Sequence, residues 1–234
     1  MNDPQEYLDM NLEQARFNMI EQQIRPWEVL DGPVLALLAV VKREDFVPLA
    51  HKAMAFADME LPLRGPTEEA MRLGQCMLAP KVEARLLQDL HVHKHETVLE
   101  IGTGSGYMAA LLAHRAQRVV TLEIVPELAA VARGNLQRAG VHNAEVREAD
   151  GASTAAVQGP YDVIVLSGSV AEVPASLLAQ LKVGGRLSAI VGQEPMMRAT
   201  LITRTGESAW TTTQPWDTVA PRLLNFAEPT RFQF

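Results

Sequence analysis

Cysteine is nearly absent from this chain of 234 residues: Cys76 stands alone. A disulfide framework and any cysteine-built metal cluster within the chain are thereby excluded, which fits a reducing compartment. Basic residues are in the minority, 21 Lys and Arg against 28 Asp and Glu, for a formal net charge of −7. No basic stripe is available to neutralise phosphates, so no nucleic-acid partner is expected. Long apolar runs are missing too. The longest, residues 34–41, has the length of a buried helix; a bilayer span needs ~20 such residues, so no membrane partner is expected. The opening stretch MNDPQEYLDMNLEQARF is acidic and lacks the apolar segment of a secretory signal, which makes a cytoplasmic location the expectation. There is no internal repeat and no low-complexity segment. With 47% hydrophobic and 21% charged residues, the chain has the make-up of an ordinary globular protein. Its length supports a core without covalent staples.

The first third reads as helices separated by an aperiodic stretch. Residues 11–25 contain no breaker, space Leu12, Met19, Ile20 and Ile24 roughly as on one helical face, and stop at Pro26. Asp31 has the character of an N-cap, with Pro33 in the first turn of a short apolar helix ending near Lys42. Residues 43–80 have no sustained period and read as a long, partly ordered loop region, of the kind that usually carries function. Pro80 opens another helix, whose Val82, Leu86, Leu87 and Leu90 share a face. From residue 97 strand-like runs alternate with helix-like ones: TVLEI, then 106–115; RVVTLE, then 126–139; AEVREAD; YDVIVLSGS, then 174–181; GGRLSAIVG. This alternation predicts βαβ units and a parallel sheet, with near-continuous apolar strands covered on both faces. Two final strand-like runs around Thr205-Gly206-Glu207 read as a hairpin. The expected fold is α/β and Rossmann-like: about seven strands, mostly parallel, an antiparallel C-terminal hairpin and an N-terminal helical extension.

The stretch VLEIGTGSGYMAALLA, residues 98–113, raises the question of its ligand. A dinucleotide turn needs G-x-G-x-x-G; Gly102 and Gly104 fit, but the third position is Tyr107, and the third glycine is Gly106. No Gly-Lys-Ser/Thr follows, so there is no P-loop. Glu100, at the end of its strand, would repel a pyrophosphate and suits a cationic ligand. Strand two ends at Glu123, placed to accept both hydroxyls of a ribose. Strand three ends at Asp150-Gly151, placed to accept an adenine amino group. Three acids at three strand ends, with no cation beside the glycines, describe a positively charged nucleoside. S-adenosyl-L-methionine has that character, and a methyl-donor site is the expectation.

VLEIGTGSGY together with the later GGRL resembles a class I S-adenosylmethionine methyltransferase. The stretches MIEQQIRPWEVLD, REDFVP, AFAD, VPELAAVARGNL and VPASLLAQLKVGGRL are more specifically similar to the protein-L-isoaspartate O-methyltransferase family. The resemblance runs from about residue 19 to about residue 192. It implies one methyltransferase domain over residues 1–234, with a helical and substrate-loop extension over 1–95 and a cofactor-binding core over 96–234. It implies cofactor contacts from Glu100, Gly102, Thr103, Gly104, Ser105, Gly106, Glu123, Ile124, Asp150 and Gly151, with S-adenosyl-L-homocysteine as the product left behind. It also implies methylation of a carboxylate in damaged proteins or peptides, a repair activity. The chain departs from the family in one loop. Family members read Gly-Gln-Thr-Ile-Ser-Gln-Pro before the helix, with hydroxyls that help hold the substrate carboxylate. Here Gly74, Gln75 and Pro80 keep the frame, but Cys76, Met77, Leu78 and Ala79 fill it and no hydroxyl is left. The ending PRLLNFAEPTRFQF departs as well.

A carboxylate acceptor is already ionised, with a reference pKa of ~4, so transfer needs no general base and no metal. No His–Asp relay is evident. His91, His93 and His95 read as an exposed connection rather than metal ligands, Cys76 as a packed thiol, and Trp27, Trp210 and Trp216 as packing residues. Two other functions stay open: a methyltransferase of the same fold acting on a small-molecule or more apolar acceptor, and a non-catalytic partner protein retaining the cofactor fold. Cofactor turnover would separate the second of these, and an acceptor screen the first.

Overall fold

The computed structural model describes residues 4–153, 156 and 158–228, with side chains from residue 11 onward. The chain enters through helix α1 (Pro4–Met19), which widens into a π-helical turn over Ile20–Ile24 and tightens into a 3-10 turn over Arg25–Trp27. Pro26 thus ends the helical run where the sequence places the stop. Helix α2 (Gly32–Val40) is capped as expected: the Asp31 carboxylate accepts the Val34 N–H. It ends two residues short of Lys42.

Residues 43–80 are more structured than their aperiodic sequence suggests. Single 3-10 turns cover Arg43–Asp45 and Leu49–Met54. Strand β1 (Leu61–Pro62) then pairs antiparallel with β2 (Cys76–Met77) around helix α3 (Thr67–Arg72). Elements of two to six residues are too short to display a period, which is why they escape a periodicity reading. Helix α4 (Pro80–Leu90) buries the predicted face of Val82, Leu86, Leu87 and Leu90.

The remaining elements form the α/β layer: β3 (Thr97–Ile101), α5 (Tyr107–Arg115), β4 (Arg118–Glu123), α6 (Pro126–Arg138), β5 (Ala144–Glu148), β6 (Tyr161–Val170), α7 (Ala175–Leu178), β7 (Leu181–Gln193), β8 (Met196–Gly206) and β9 (Ala209–Thr218). Seven strands lie in the order β5-β4-β3-β6-β7-β8-β9. The first five run parallel, and β8 and β9 return antiparallel. The central strands β3 and β6 are buried on both faces, as their apolar runs predict, whereas β5 at the edge is half-exposed. Helix α7 has four residues instead of the predicted eight, because Leu181 already belongs to β7. Among the described residues no helix is long and apolar enough to cross a membrane.

Sequence succession and strand order part company at β3, whose neighbours are β4 and β6. In open α/β sheets that switch point, beyond the carboxyl ends of the strands, is where ligands bind.

Candidate functional site: two cavities that meet at the switch point

An open cleft lies over the switch point, its roughly 630 Å³ of free space continuous with solvent. The loops after β3, β4 and β5 build one wall, and Gly102, Gly104, Glu123, Ile124, Asp150 and Gly151 line it as the sequence predicts. Glu123 ends β4. Its Oε2 accepts the Gly104 N–H at 2.8 Å and its Oε1 accepts the Val125 N–H at 3.0 Å. A carboxylate has about four acceptor positions, so lone pairs on both oxygens remain for a ligand. Burial pushes the Glu123 carboxyl up, against the pull of the backbone N–H groups of Val125, Gly104 and Ile124. Asp150 lies two residues beyond the end of β5. It accepts the Ala152 N–H at 2.9 Å through Oδ1 and the Asn225 side-chain amide at 2.8 Å through Oδ2. Gly151 has no room for a side chain, since a Cβ there would overlap Ile101.

Four predicted cofactor residues sit elsewhere. Gly106 lines neither cavity. It begins α5 in the left-handed region (φ 85°), and a Cβ on it would stand 3.3 Å from that of Ala132 in α6. Its task is close packing of two helices. Thr103 and Ser105 turn inward and are buried. The Thr103 hydroxyl contacts that of Thr121 at 2.6 Å, and the Ser105 hydroxyl accepts the Tyr107 N–H at 3.3 Å. Glu100 is 0% exposed and lies on the far side of the glycine turn from the cleft. Strand alternation accounts for this: a side chain one residue from the strand's end points to a face and not along the axis.

Glu100, Thr103 and Ser105 instead border a smaller, narrow chamber behind the glycine turn, about 250 Å³ with the open solvent at its mouth included. Its roof is the segment Cys76, Met77 and Leu78, and its side walls include Glu83 and Tyr107. Burial pushes the Glu100 carboxyl up to about 8, against the Ser167 and Thr121 hydroxyls that donate to it at 2.7 and 2.8 Å. Burial likewise pushes the Glu83 carboxyl up to about 7, although its partner Arg43 pulls it down. Arg43 is fully buried and ties three segments together: it pairs with Glu83 on α4 and donates to the carbonyls of Ala55 at 3.0 Å and Leu78 at 2.6 Å. The roof of the chamber is therefore fixed by a guanidinium. The Cys76 thiol faces the Glu60 carboxylate at 3.8 Å, and burial, followed by that charge, pushes it up to about 12. It is a neutral packed thiol, as expected. The phenol of Tyr107 is buried without a hydrogen-bond partner.

The remaining sequence candidates separate cleanly. His91, His93 and His95 are exposed, and His93 stacks on His95 with ring centroids 5.9 Å apart. Among the described residues no group of three or more His, Cys, Asp or Glu side chains could hold a metal. Trp216 packs as predicted and donates to Asp89 at 2.8 Å. Trp27 and Trp210 are each 40% exposed and serve as platforms for Lys81 and Arg204, so their packing role is corrected to surface cation–π contacts. Two features of the site escaped the sequence reading. Ser167, near the end of β6, lines both cavities. The segment after β9 folds back along β6, where Ser169 N donates to Pro221 O at 2.7 Å and Leu223 N to Ser169 O at 2.9 Å. It lays Leu223 against Gly102 and Gly168 as a cover on the cleft. Residues 229–234 of the ending lie outside the described residues.

This sheet and the placement of its cleft are those of the Rossmann-like class I methyltransferases. A structure of a putative protein-L-isoaspartate O-methyltransferase from Plasmodium falciparum, in complex with S-adenosyl-L-homocysteine, superposes with a TM-score of 0.72 over 89% of this chain and 97% of that one, at 17% identity. A second structure titled protein-L-isoaspartate O-methyltransferase gives 0.71 over 92% of this chain and 66% of the other, at 24% identity. Those likenesses establish the fold. Sequence goes further. The family model for protein-L-isoaspartate(D-aspartate) O-methyltransferase matches residues 14–218. The protein-L-isoaspartate O-methyltransferase of Methanoculleus marisnigri is 42% identical over 177 residues, 76% of this chain and 77% of that one. That of Koribacter versatilis is 38% identical over 189 residues, 81% of each. The chain belongs to the protein-L-isoaspartate(D-aspartate) O-methyltransferase family.

Proposed function

We propose that the protein is an S-adenosyl-L-methionine-dependent carboxyl O-methyltransferase of the protein-L-isoaspartate type, acting on damaged proteins or peptides. The observation that carries this reading is the pair Glu123 and Asp150, one at the end of β4 and the other just past β5, on one wall of a cleft whose glycine turn presents bare backbone. The residues present fit the cofactor. Glu123 would hold the ribose hydroxyls, Asp150 and Gly151 the adenine edge, and the backbone of Gly102 and Gly104 the amino-acid end. Bound there, S-adenosyl-L-methionine supplies an electrophilic methyl group on a sulfonium. The protein's own contribution is alignment of the acceptor and exclusion of water. Leu223 covers the cleft, and the Cys76–Leu78 segment roofs the chamber behind the glycine turn. An ionised acceptor needs no base, so no group in the site is asked to remove a proton. In this reading residues 1–95 and 96–234 act as one methyltransferase domain, and the lone cysteine supports a reducing, cytoplasmic setting.

Calorimetry with S-adenosyl-L-homocysteine and with NAD tests the cleft: the first binds and the second does not. NAD binding with no response to the first ligand would overturn the assignment. One observation favours a second acceptor class. The chamber roof is Cys76, Met77 and Leu78, with no hydroxyl to meet a carboxylate, which suits a more apolar or small-molecule acceptor of the same methyl group. Screening isoaspartyl peptides against small organic acids decides between the two.

A further inference from the structure

The cleft and the chamber share four lining residues, Cys76, Gly102, Gly104 and Ser167. Two of these have no side chain. Cys76 directs its weakly polar thiol at Glu60. Among the described residues Ser167 is therefore the one hydroxyl side chain that lines both cavities, whereas the roof lacks the family's hydroxyls. It is not free-standing. Its Oγ donates to Oε1 of the fully buried Glu100 at 2.7 Å. The other Glu100 oxygen accepts from Thr121, which in turn contacts Thr103. Resting on the methyl-donor reading of the cleft, we propose that Ser167 is the hydroxyl that holds the acceptor's carboxylate at the point of transfer, and that Glu100, as a positioning residue, sets which way the Ser167 proton points.

A hydroxyl has one proton to give and two lone pairs to offer. When Glu100 is ionised, the Ser167 proton is committed to it, and Ser167 turns lone pairs toward the junction, where an anion is repelled. When Glu100 is neutral, its own proton makes the bond to Ser167, and the Ser167 proton is released toward the acceptor. Burial and the neighbouring carboxylates favour the neutral form of Glu100, while the Ser167 and Thr121 hydroxyls favour the ionised one. Among the described residues no cation contacts Glu100. Thr121 comes from β4 and Ser167 from β6, while the carboxylates of Glu83 on α4 and Glu123 on β4 add their charge to the cost of burial. Arg43 is spent on Glu83 and on backbone carbonyls. With the Glu100 carboxyl at about 8, the acceptor site is in its donating state at neutral pH and loses it as pH rises through that value.

The test is calorimetric titration of an isoaspartyl peptide into the protein saturated with S-adenosyl-L-homocysteine, from pH 6 to 9, with parallel titrations of S-adenosyl-L-homocysteine alone. Ser167→Ala should weaken peptide binding at pH 7 by about 10- to 100-fold, the range for a lost hydrogen bond to an anion, and leave S-adenosyl-L-homocysteine affinity within about twofold. Ser167→Thr should restore the peptide affinity. Wild-type peptide affinity should fall above pH ~8, and Glu100→Gln should abolish that fall. Wild-type peptide affinity in Ser167→Ala, or an equal loss for both ligands, would overturn the proposal. A wild type that binds S-adenosyl-L-homocysteine but no isoaspartyl peptide would overturn it together with the acceptor class. A wild type that binds no S-adenosyl-L-homocysteine would instead remove the methyl-donor reading itself.

Discussion

The cleft and the chamber lie back to back across one glycine turn and are made of opposite materials. The cleft is lined by glycine backbone, aliphatic side chains and two carboxylates held by neighbouring N–H donors, with Gln75, Cys76, Ser167, Arg222 and Phe226 completing it. The chamber is lined by titratable groups, the buried Glu83, Glu100 and Tyr107 and the half-buried Cys76, each pushed toward its neutral form by desolvation. A cleft of the first kind binds through shape and a few fixed acceptors, and single changes there should act on ligand affinity. A chamber of the second kind is held in balance by desolvation and charge pairing, so changes there should act first on stability and on pH response.

The sharpest way to break this contrast is Arg43→Met. It leaves Glu83 buried without its partner and frees the Leu78 carbonyl. Loss of one member of a buried ion pair costs about 3–5 kcal/mol, read as a fall in the urea midpoint, while Asp150→Ala should move that midpoint far less. Arg43→Met with Glu83→Met should recover most of the loss in a double-mutant cycle. A small effect of Arg43→Met alone would show that the chamber is not held by charge.

On the cleft side, Glu123→Ala and Asp150→Ala should each weaken S-adenosyl-L-homocysteine binding by about one to two decades, as for a lost charge-assisted hydrogen bond. Calorimetry checks this, and unchanged affinity in both would mean that the cleft is not the cofactor site. Across the roof, Cys76→Thr with Leu78→Ser returns two hydroxyls to the acceptor side. Turnover of an isoaspartyl peptide should rise by about 10- to 200-fold with cofactor affinity unaltered. No rise would favour the more apolar acceptor.

A smaller effect separates the two regions by pH. The Glu100 carboxyl is raised in the folded protein to about 8, above the ordinary value near 4.5. Its folded state therefore favours the proton, so the stability it contributes is full below that ordinary value and is lost as pH rises to about 8. Glu100→Gln should raise the melting temperature more at pH 9 than at pH 5, by roughly 2–4 °C for each kcal/mol recovered. An equal change at both pH values would mean that the carboxyl is not held neutral. The smallest effect concerns a chelator. EDTA should leave the transfer rate unaltered, and a loss restored by a divalent ion would point to other chemistry.

The sequence by itself determined the elements whose residues are neighbours along the chain or share a short period. Asp31 caps α2 because its carboxylate needs only to reach three residues ahead. Helix α4 and the strands β3, β4 and β6 follow from periods of 3.6 and from unbroken apolar runs. Glu123, Asp150 and Gly151 were legible because a strand's end and the turn after it place such residues at the rim of the sheet. Tertiary structure decided the rest, because the deciding contacts join residues far apart in the chain. Whether Glu100 and Thr103 faced the cleft or the chamber depended on Thr121 and Ser167 from other strands. The pairing of β6 beside β3 left Ser167 at the junction, and the returning segment around Leu223 covered the cleft. Arg43 gives no local signal of its task, since its partners Ala55, Leu78 and Glu83 lie 12, 35 and 40 residues away. Burial, which shifts the carboxyls of Glu83 and Glu100, is a property of the packed whole: a charge is costly only where water has been removed.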